Sequence, residues 1–298
     1  MKLADKGQAS KSAGEQLILA CSRTAVSAEI AGEIRELAAK VADWGAVESI
    51  ATEHGVMALL CGNLLTTCPE ILPDEVRTRL REILENHARR NLFLAAELLR
   101  LGARFRGAGL LAIPYKGPVL AAQAYGDLGL RQFADLDFAI WQRDLPRALE
   151  LLVECGYKPV FGSISPQEGN RPTHSEYQFV RPQGNVIVEM QTETTLRYFP
   201  APLDIAALAA RRRHVSFAGG AVEALSPEDT LILLSVHGAK HFWGRLLWIC
   251  DIAELAQLSG GMNWSEAFAR AREMQVGRVV RVALAVAERL LGTPLPPE

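Results

Sequence analysis

The sequence predicts an α+β fold, a small mixed sheet flanked by an N-terminal helical region and a C-terminal helical bundle. Three observations lead there. Apolar residues recur at helical spacing from Asp74 to Arg106 and again through the last third of the chain. The middle third changes to short apolar strands with hairpin signals. Turn residues punctuate each change: Pro73, Gly107 to Gly109, Gly156, Pro182-Gln183-Gly184-Asn185 and Ser226-Pro227. The expected division is a helical region over 1–109, an α/β domain over 110–225 and a helical domain over 226–298.

The N-terminal region reads as shorter helices over Gln16–Arg23, Ala28–Ala42 and Ala46–Leu65, followed by the long one from Asp74. Leu110–Tyr115 is then a strand, and Pro118–Tyr125 a helix opened by proline in its first turn. Leu136–Ile140 is a strand, and Leu145–Cys155 a helix ended by Gly156. Tyr177–Arg181 and Val186–Gln191 form one hairpin; His214–Phe217 and Ala221–Leu225 form another about Gly219-Gly220. Ser226-Pro227-Glu228-Asp229 supplies an N-cap, a first-turn proline and early acids. Helices follow over Glu228–His241, Leu246–Leu258, Trp264–Met274 and Gly277–Leu291.

Composition narrows the function. At 298 residues, 49% apolar and 22% charged, the chain can bury a sizeable core. No apolar run approaches the length of a membrane helix, and no apolar signal region follows the polar N-terminus. The cysteines, Cys21, Cys61, Cys68, Cys155 and Cys250, are scattered without a Cys-x-x-Cys pair, which suits reduced thiols in a cytoplasm. A net charge of -2 exerts no general pull on nucleic acid. The densest basic cluster, Arg211-Arg212-Arg213-His214, follows an alanine-rich helix and reads as favourable charge at its C-terminus.

The chemistry concentrates after residue 114. Asp135 and Asp137 sit two apart on a strand and therefore share one face, while Leu136, Phe138 and Ile140 take the other. Two adjacent carboxylates repel, and a divalent cation relieves the repulsion. From the residues alone the pair is either a magnesium site for phosphate chemistry or a solvated strand end. Lys116-Gly117 lies where a strand turns into a helix, so it is either a phosphate cradle with a cation or a plain turn. Arg131 is either a bidentate phosphate donor or a surface ion pair with Asp127 or Asp135.

The ordered set Lys116-Gly117, Tyr125, Arg131 and Asp135-x-Asp137 resembles the uncharacterised nucleotidyltransferase family of the DNA polymerase β-like superfamily. The likeness continues through Gly156-Tyr157, Val186-Ile187-Val188-Glu189, Ser226-Pro227-Glu228, and His237-x3-His241-x-Trp243 leading into Asp251. Glu53-His54-Gly55-Val56 and Asn91 also fit. The resemblance implies a nucleotidyltransferase sheet as the catalytic domain and transfer of a nucleoside monophosphate from an NTP, with Mg²⁺ or Mn²⁺ as cofactor. It implies Asp135, Asp137 and Glu189 as catalytic metal ligands, with Lys116, Gly117, Arg131 and Lys240 toward the nucleotide. The resemblance gives a reaction class and little about the acceptor; the leading expectation is a small molecule or a protein.

Two features depart from the wider superfamily. Lys116-Gly117-Pro118 replaces the usual Gly-Ser turn, with a longer gap to the acids. Gln191 stands where a histidine often follows the third carboxylate, and it can neither give nor take a proton. His237 and His241 have the i, i+4 spacing of a metal pair, but without an intervening glutamate they read as packing of their helix against the sheet. Asp251 reads as an anchor between helices; His174 and Glu176 are placed toward the acceptor. The alternatives are a toxin-type tRNA nucleotidyltransferase and a catalytically inactive nucleotide-binding module.

Overall fold

A computed structural model describes residues 11–160, 176–192, 204–258 and 261–294. The chain opens with four short helices, α1 (Ala13–Cys21), α2 (Ala28–Ala38), α3 (Trp44–Glu53) and α4 (Met57–Thr67). Ser12, Ser27 and Asp43 cap the first three, each accepting a hydrogen bond from a first-turn backbone N–H. The single helix expected over 46–65 is two, because Gly55 takes φ +72° and a right-handed helix cannot run through that conformation. A side chain at position 55 would also meet Leu247 at 3.2 Å.

Helix α5 (Asp74–Gly107) runs 34 residues, about 50 Å at 1.5 Å per residue. Asp74 and Glu75 lie in its first turn and Arg104 and Arg106 in its last, each sign matched to the helix dipole. Its N-terminal part, through Val76 and Leu80, packs into a core shared with α1 to α4. Its C-terminal part, through Leu94, Leu98, Leu101 and Phe105, packs under the sheet. One helix thus joins both cores.

The sheet follows: β1 (Ala112–Pro114), β2 (Asp135–Ile140), β3 (Lys158–Pro159), β4 (Glu176–Arg181) and β5 (Val186–Gln191), in spatial order β1-β2-β5-β4-β3. Only the β2–β5 pair is parallel, so the sheet is mixed as expected. β1 begins later than expected because the Leu110 N–H still closes α5 on the Phe105 carbonyl at 2.9 Å. Between β1 and β2, α6 (Gly117–Leu120) runs into a π-helical turn over Ala121–Tyr125, where one α-helix was expected. Helix α7 (Leu145–Glu154) crosses the apolar face of the sheet.

Helix α8 (Ile205–Ala210) leads to a separate hairpin of β6 (Arg213–Phe217) and β7 (Gly220–Ala224). The chain then forms α9 (Pro227–Lys240), α10 (Leu246–Ala256), α11 (Trp264–Glu273) and α12 (Gly277–Leu291). Leu231, Ile252, Ala283 and Leu284 of these helices join the core of α1 to α4. The two helical ends of the chain are one packing unit. The basic cluster is spent on structure: Arg211 pairs with Asp229 at 2.9 Å and Arg212 with Glu223 at 2.6 Å. All five cysteines are free thiols, and all but Cys155 are buried. Among the described residues no helix is long and apolar enough to cross a membrane.

Phe138 is fully buried on the apolar face of β2, edge-to-face with Phe105 at 5.4 Å. Phe138→Ala removes that contact and leaves a cavity, at a cost of about 3–5 kcal/mol. Urea denaturation measures it; a loss below about 1 kcal/mol would contradict this packing.

Candidate active site

Strand β2 has two chemistries because its side chains alternate. Leu136, Phe138 and Ile140 are at 0% exposure in the core, while Asp135 and Asp137 share the opposite face. The parallel register sets Asp137 beside Glu189 and Asp135 beside Ile187. Neighbouring strands lie about 4.8 Å apart, so Asp135, Asp137 and Glu189 share one end of the polar face. Gln178 of β4 donates from Nε2 to Glu189 Oε1 at 3.1 Å, fixing that side chain from the next strand.

A buried frame holds the loop that enters β2. Asn91 of α5 donates to the carbonyls of Leu128 at 2.6 Å and Arg131 at 2.9 Å. Arg131 is itself buried, and its Nε and Nη2 donate to the two oxygens of Asp251 at 2.7 and 2.8 Å. Tyr125, delivered by the π-turn, donates to Asp251 Oδ1 at 2.7 Å. The ion pair weighed for Arg131 with Asp127 or Asp135 thus forms with Asp251 instead, and two of its nitrogens are committed there. Asp251 is the anchor its position suggested.

Lys116 and Gly117 turn the chain from β1 into α6. Gly117 takes φ +53°, and a Cβ there would meet the Asp135 carbonyl at 3.1 Å, so glycine is required. The close approach is to the backbone of β2. Lys116 Nζ donates to Asp137 Oδ1 at 2.9 Å. Burial favours its neutral form, but the carboxylates of Asp137, Asp135 and Glu189 outweigh burial and hold it charged. Burial and the neighbouring Asp137 push the Asp135 carboxyl up, against Lys116 and Arg131. Asp137 Oδ2 is buried without a hydrogen-bond partner.

These groups meet a pocket of about 360 Å³. Asp135, Glu189 and Lys116 line it, whereas Asp137, 2% exposed, is not part of its lining. Among the described residues no group of three or more His, Cys, Asp or Glu side chains is assembled to hold a metal ion; Asp137 is bonded to the Lys116 ammonium instead.

The facing wall comes from α9 and α10. His237, Lys240, His241, Arg245 and Trp248 line it. The two imidazoles lie 4.7 Å apart and tilted by 60°, and both pack on Trp248, at 5.4 and 5.2 Å. Packing, rather than a metal pair, was the expectation for these histidines. After α9 the chain turns through Phe242 and Trp243, both at positive φ, and the Trp243 ring lies against Gly238 where any Cβ would collide. His54 completes the wall from a distance: its Nδ1 accepts the Leu246 N–H at 3.2 Å and starts α10.

A model of the family described as uncharacterised nucleotidyltransferase matches residues 40–292, a span that includes both walls of this pocket. The chain belongs to that family. A nucleotidyltransferase-like antigenic protein from Paracoccidioides brasiliensis, known as a crystal structure, is similar over 65% of this chain and 91% of its own, at 17% identity and a TM-score of 0.40. No curated protein matches the chain.

Within this nucleotidyltransferase family member, Gln191 is a buried structural residue, its Oε1 accepting the Tyr115 hydroxyl. Glu176 opens β4 in register with Gln191, and His174 lies outside the described residues. The sequence alone does not reveal Asp251 as the partner of Arg131, because 120 residues separate them and no spacing rule spans that distance.

Two measurements test this geometry. Arg131→Met leaves Asp251 as an uncompensated buried charge and costs about 3–5 kcal/mol in denaturant unfolding; no loss of stability would refute the frame. Burial, with Lys116 and the other nearby cations, lowers His237 from 6.5 to about 2. An unfolded histidine takes up a proton that the folded one refuses, so the protein loses stability as pH falls below 6.5. The contribution is on the order of 1 kcal/mol per pH unit. Unfolding of wild type and His237→Gln at pH 7 and 5 should show the smaller acid loss in the variant; equal losses would place His237 in solvent.

Proposed function

We propose that the protein is a metal-dependent nucleotidyltransferase that moves a nucleoside monophosphate from an NTP to a hydroxyl- or phosphate-bearing acceptor, a small molecule or a protein. One observation carries the reading. Asp135, Asp137 and Glu189 share one face of two adjacent parallel strands, and the deepest of them keeps a buried oxygen, Asp137 Oδ2, with no hydrogen-bond partner. Buried polar atoms are nearly always satisfied, so an unpartnered one supports an ion or ligand binding there.

Oxygen-only donors suit Mg²⁺ or Mn²⁺. Asp135, Asp137 and Glu189 would hold the metal, which as a Lewis acid stabilises charge on the attacking and leaving oxygens. The acceptor oxygen forms its bond to the α-phosphorus as the bond to the β-phosphate bridging oxygen breaks, and the electron pair leaves with pyrophosphate. Lys116, Lys240 and Arg245 surround the pocket with positive charge suited to a triphosphate. Trp248 and the two histidines packed on it supply an aromatic wall suited to a nucleobase. Gln191 offers no acid or base, so the acceptor's proton leaves by another route. The internal pairing of Arg211 and Arg212 favours a small acceptor over a polynucleotide.

The test is incubation with each α-labelled NTP, Mg²⁺ or Mn²⁺, and cell extract as the source of acceptor. Wild type should pass label to a small molecule or protein, and label on tRNA would favour the toxin-type alternative. Asp135→Asn should reduce transfer at least about 100-fold. Its Tm should not fall, since the substitution relieves repulsion with Asp137. Undiminished transfer by this variant would overturn the assignment.

A further inference from the structure

The acidic site already contains a cation of its own. Lys116 Nζ bonds Asp137 at 2.9 Å with its side chain only 14% exposed. Asp135 and Glu189 also act on it electrostatically. It lines the pocket, as Asp137 does not, and bonds Asp137 directly, so an ion entering from the pocket to bind that carboxylate competes with this ammonium. Arg131, the other buried cation of the site, cannot serve the same purpose, because its guanidinium is locked in two bonds to Asp251.

We propose that Lys116 is an exchangeable resident cation. It neutralises the carboxylates in the empty protein, gives up Asp137 when a divalent ion enters with the nucleotide, and transfers its charge to the triphosphate. The inference rests on the transferase reading above. A lysine suits such an exchange, being a compact point charge on a flexible four-carbon stem. The pocket it lines gives it room to swing, and the Tyr115 ring, 5.2 Å from Nζ, flanks its path. Divalent ion alone must displace the ammonium without offering it a new partner, whereas ion and nucleotide together supply one. Metal and nucleotide should therefore strengthen each other's binding, by the same factor in both directions.

Titration of Mn²⁺, read by loss of the free-ion EPR signal, tests this without any turnover. It is run on wild type, Lys116→Met and Lys116→Gln, each with and without a non-hydrolysable ATP analogue, and circular dichroism checks that the variants fold. Wild type should bind Mn²⁺ weakly alone and about tenfold or more tightly with the analogue. Both variants should bind Mn²⁺ alone about tenfold more tightly than wild type, and the analogue should add little. The glutamine keeps polarity at the position and removes only the charge, so it serves should the methionine variant misfold. A lysine that merely braces the fold would leave the nucleotide's effect on Mn²⁺ affinity intact, and that result overturns the exchange. Unchanged or weaker Mn²⁺ affinity in folded variants also overturns it. Absence of Mn²⁺ binding by every form, with or without analogue, removes the transferase reading and the exchange with it.

Discussion

Like charges confined on one strand face are the constraint around which this protein is arranged. Asp135 and Asp137 must point together because β2 is regular, and β2 is regular because Leu136, Phe138 and Ile140 fill the core beneath it. A one-residue slip would bury the acids among α5 and α7 and expose the apolar set. The register is thus held by burial of the apolar side, and the repulsion on the other side has to be met locally. Lys116 meets it in part, leaving one oxygen of Asp137 unsatisfied. That unpaired buried oxygen is the feature on which the proposed cation site rests.

The remaining architecture supplies rigidity and contrast. Asn91, Tyr125, Arg131 and Asp251 tie α5, the π-turn and α10 to the loop entering β2, so that both helical ends of the chain bear on the same strand. Opposite the acids, α9 and α10 present cations and aromatic rings. An acidic wall facing a basic, aromatic one is the polarity that a metal-bound nucleotide needs, with its ions on one side and its phosphates and base on the other. Burial keeps His237 neutral, so Lys240 and Arg245 supply most of the charge on that wall.

Much of this could be read from the residues in order. Period-two alternation at 135–140 and 186–191, and turn chemistry at Gly156 and Ser226-Pro227, mark elements the structure contains. The helical ends and the mixed sheet follow from local pattern, and the acidic face from strand geometry. Contacts made across long separations were not legible. Nothing in sequence couples His54 to α10, Asn91 to the loop before β2, or Arg131 to Asp251. The break at Gly55 escaped because helical periodicity resumes at once in α4. Lys116 was read as a group for the nucleotide, and its bond to Asp137 depends on a turn whose direction only the folded backbone sets.

Asp135, Asp137 and Glu189 are proposed to hold a divalent ion together at the phosphates of a bound nucleotide. Anomalous diffraction from crystals grown with Mn²⁺ and a non-hydrolysable NTP analogue tests it most directly. An anomalous peak is expected within coordination distance of oxygens from all three residues and the analogue's phosphates. A bound analogue with no such peak, or with Mn²⁺ held elsewhere, would contradict it.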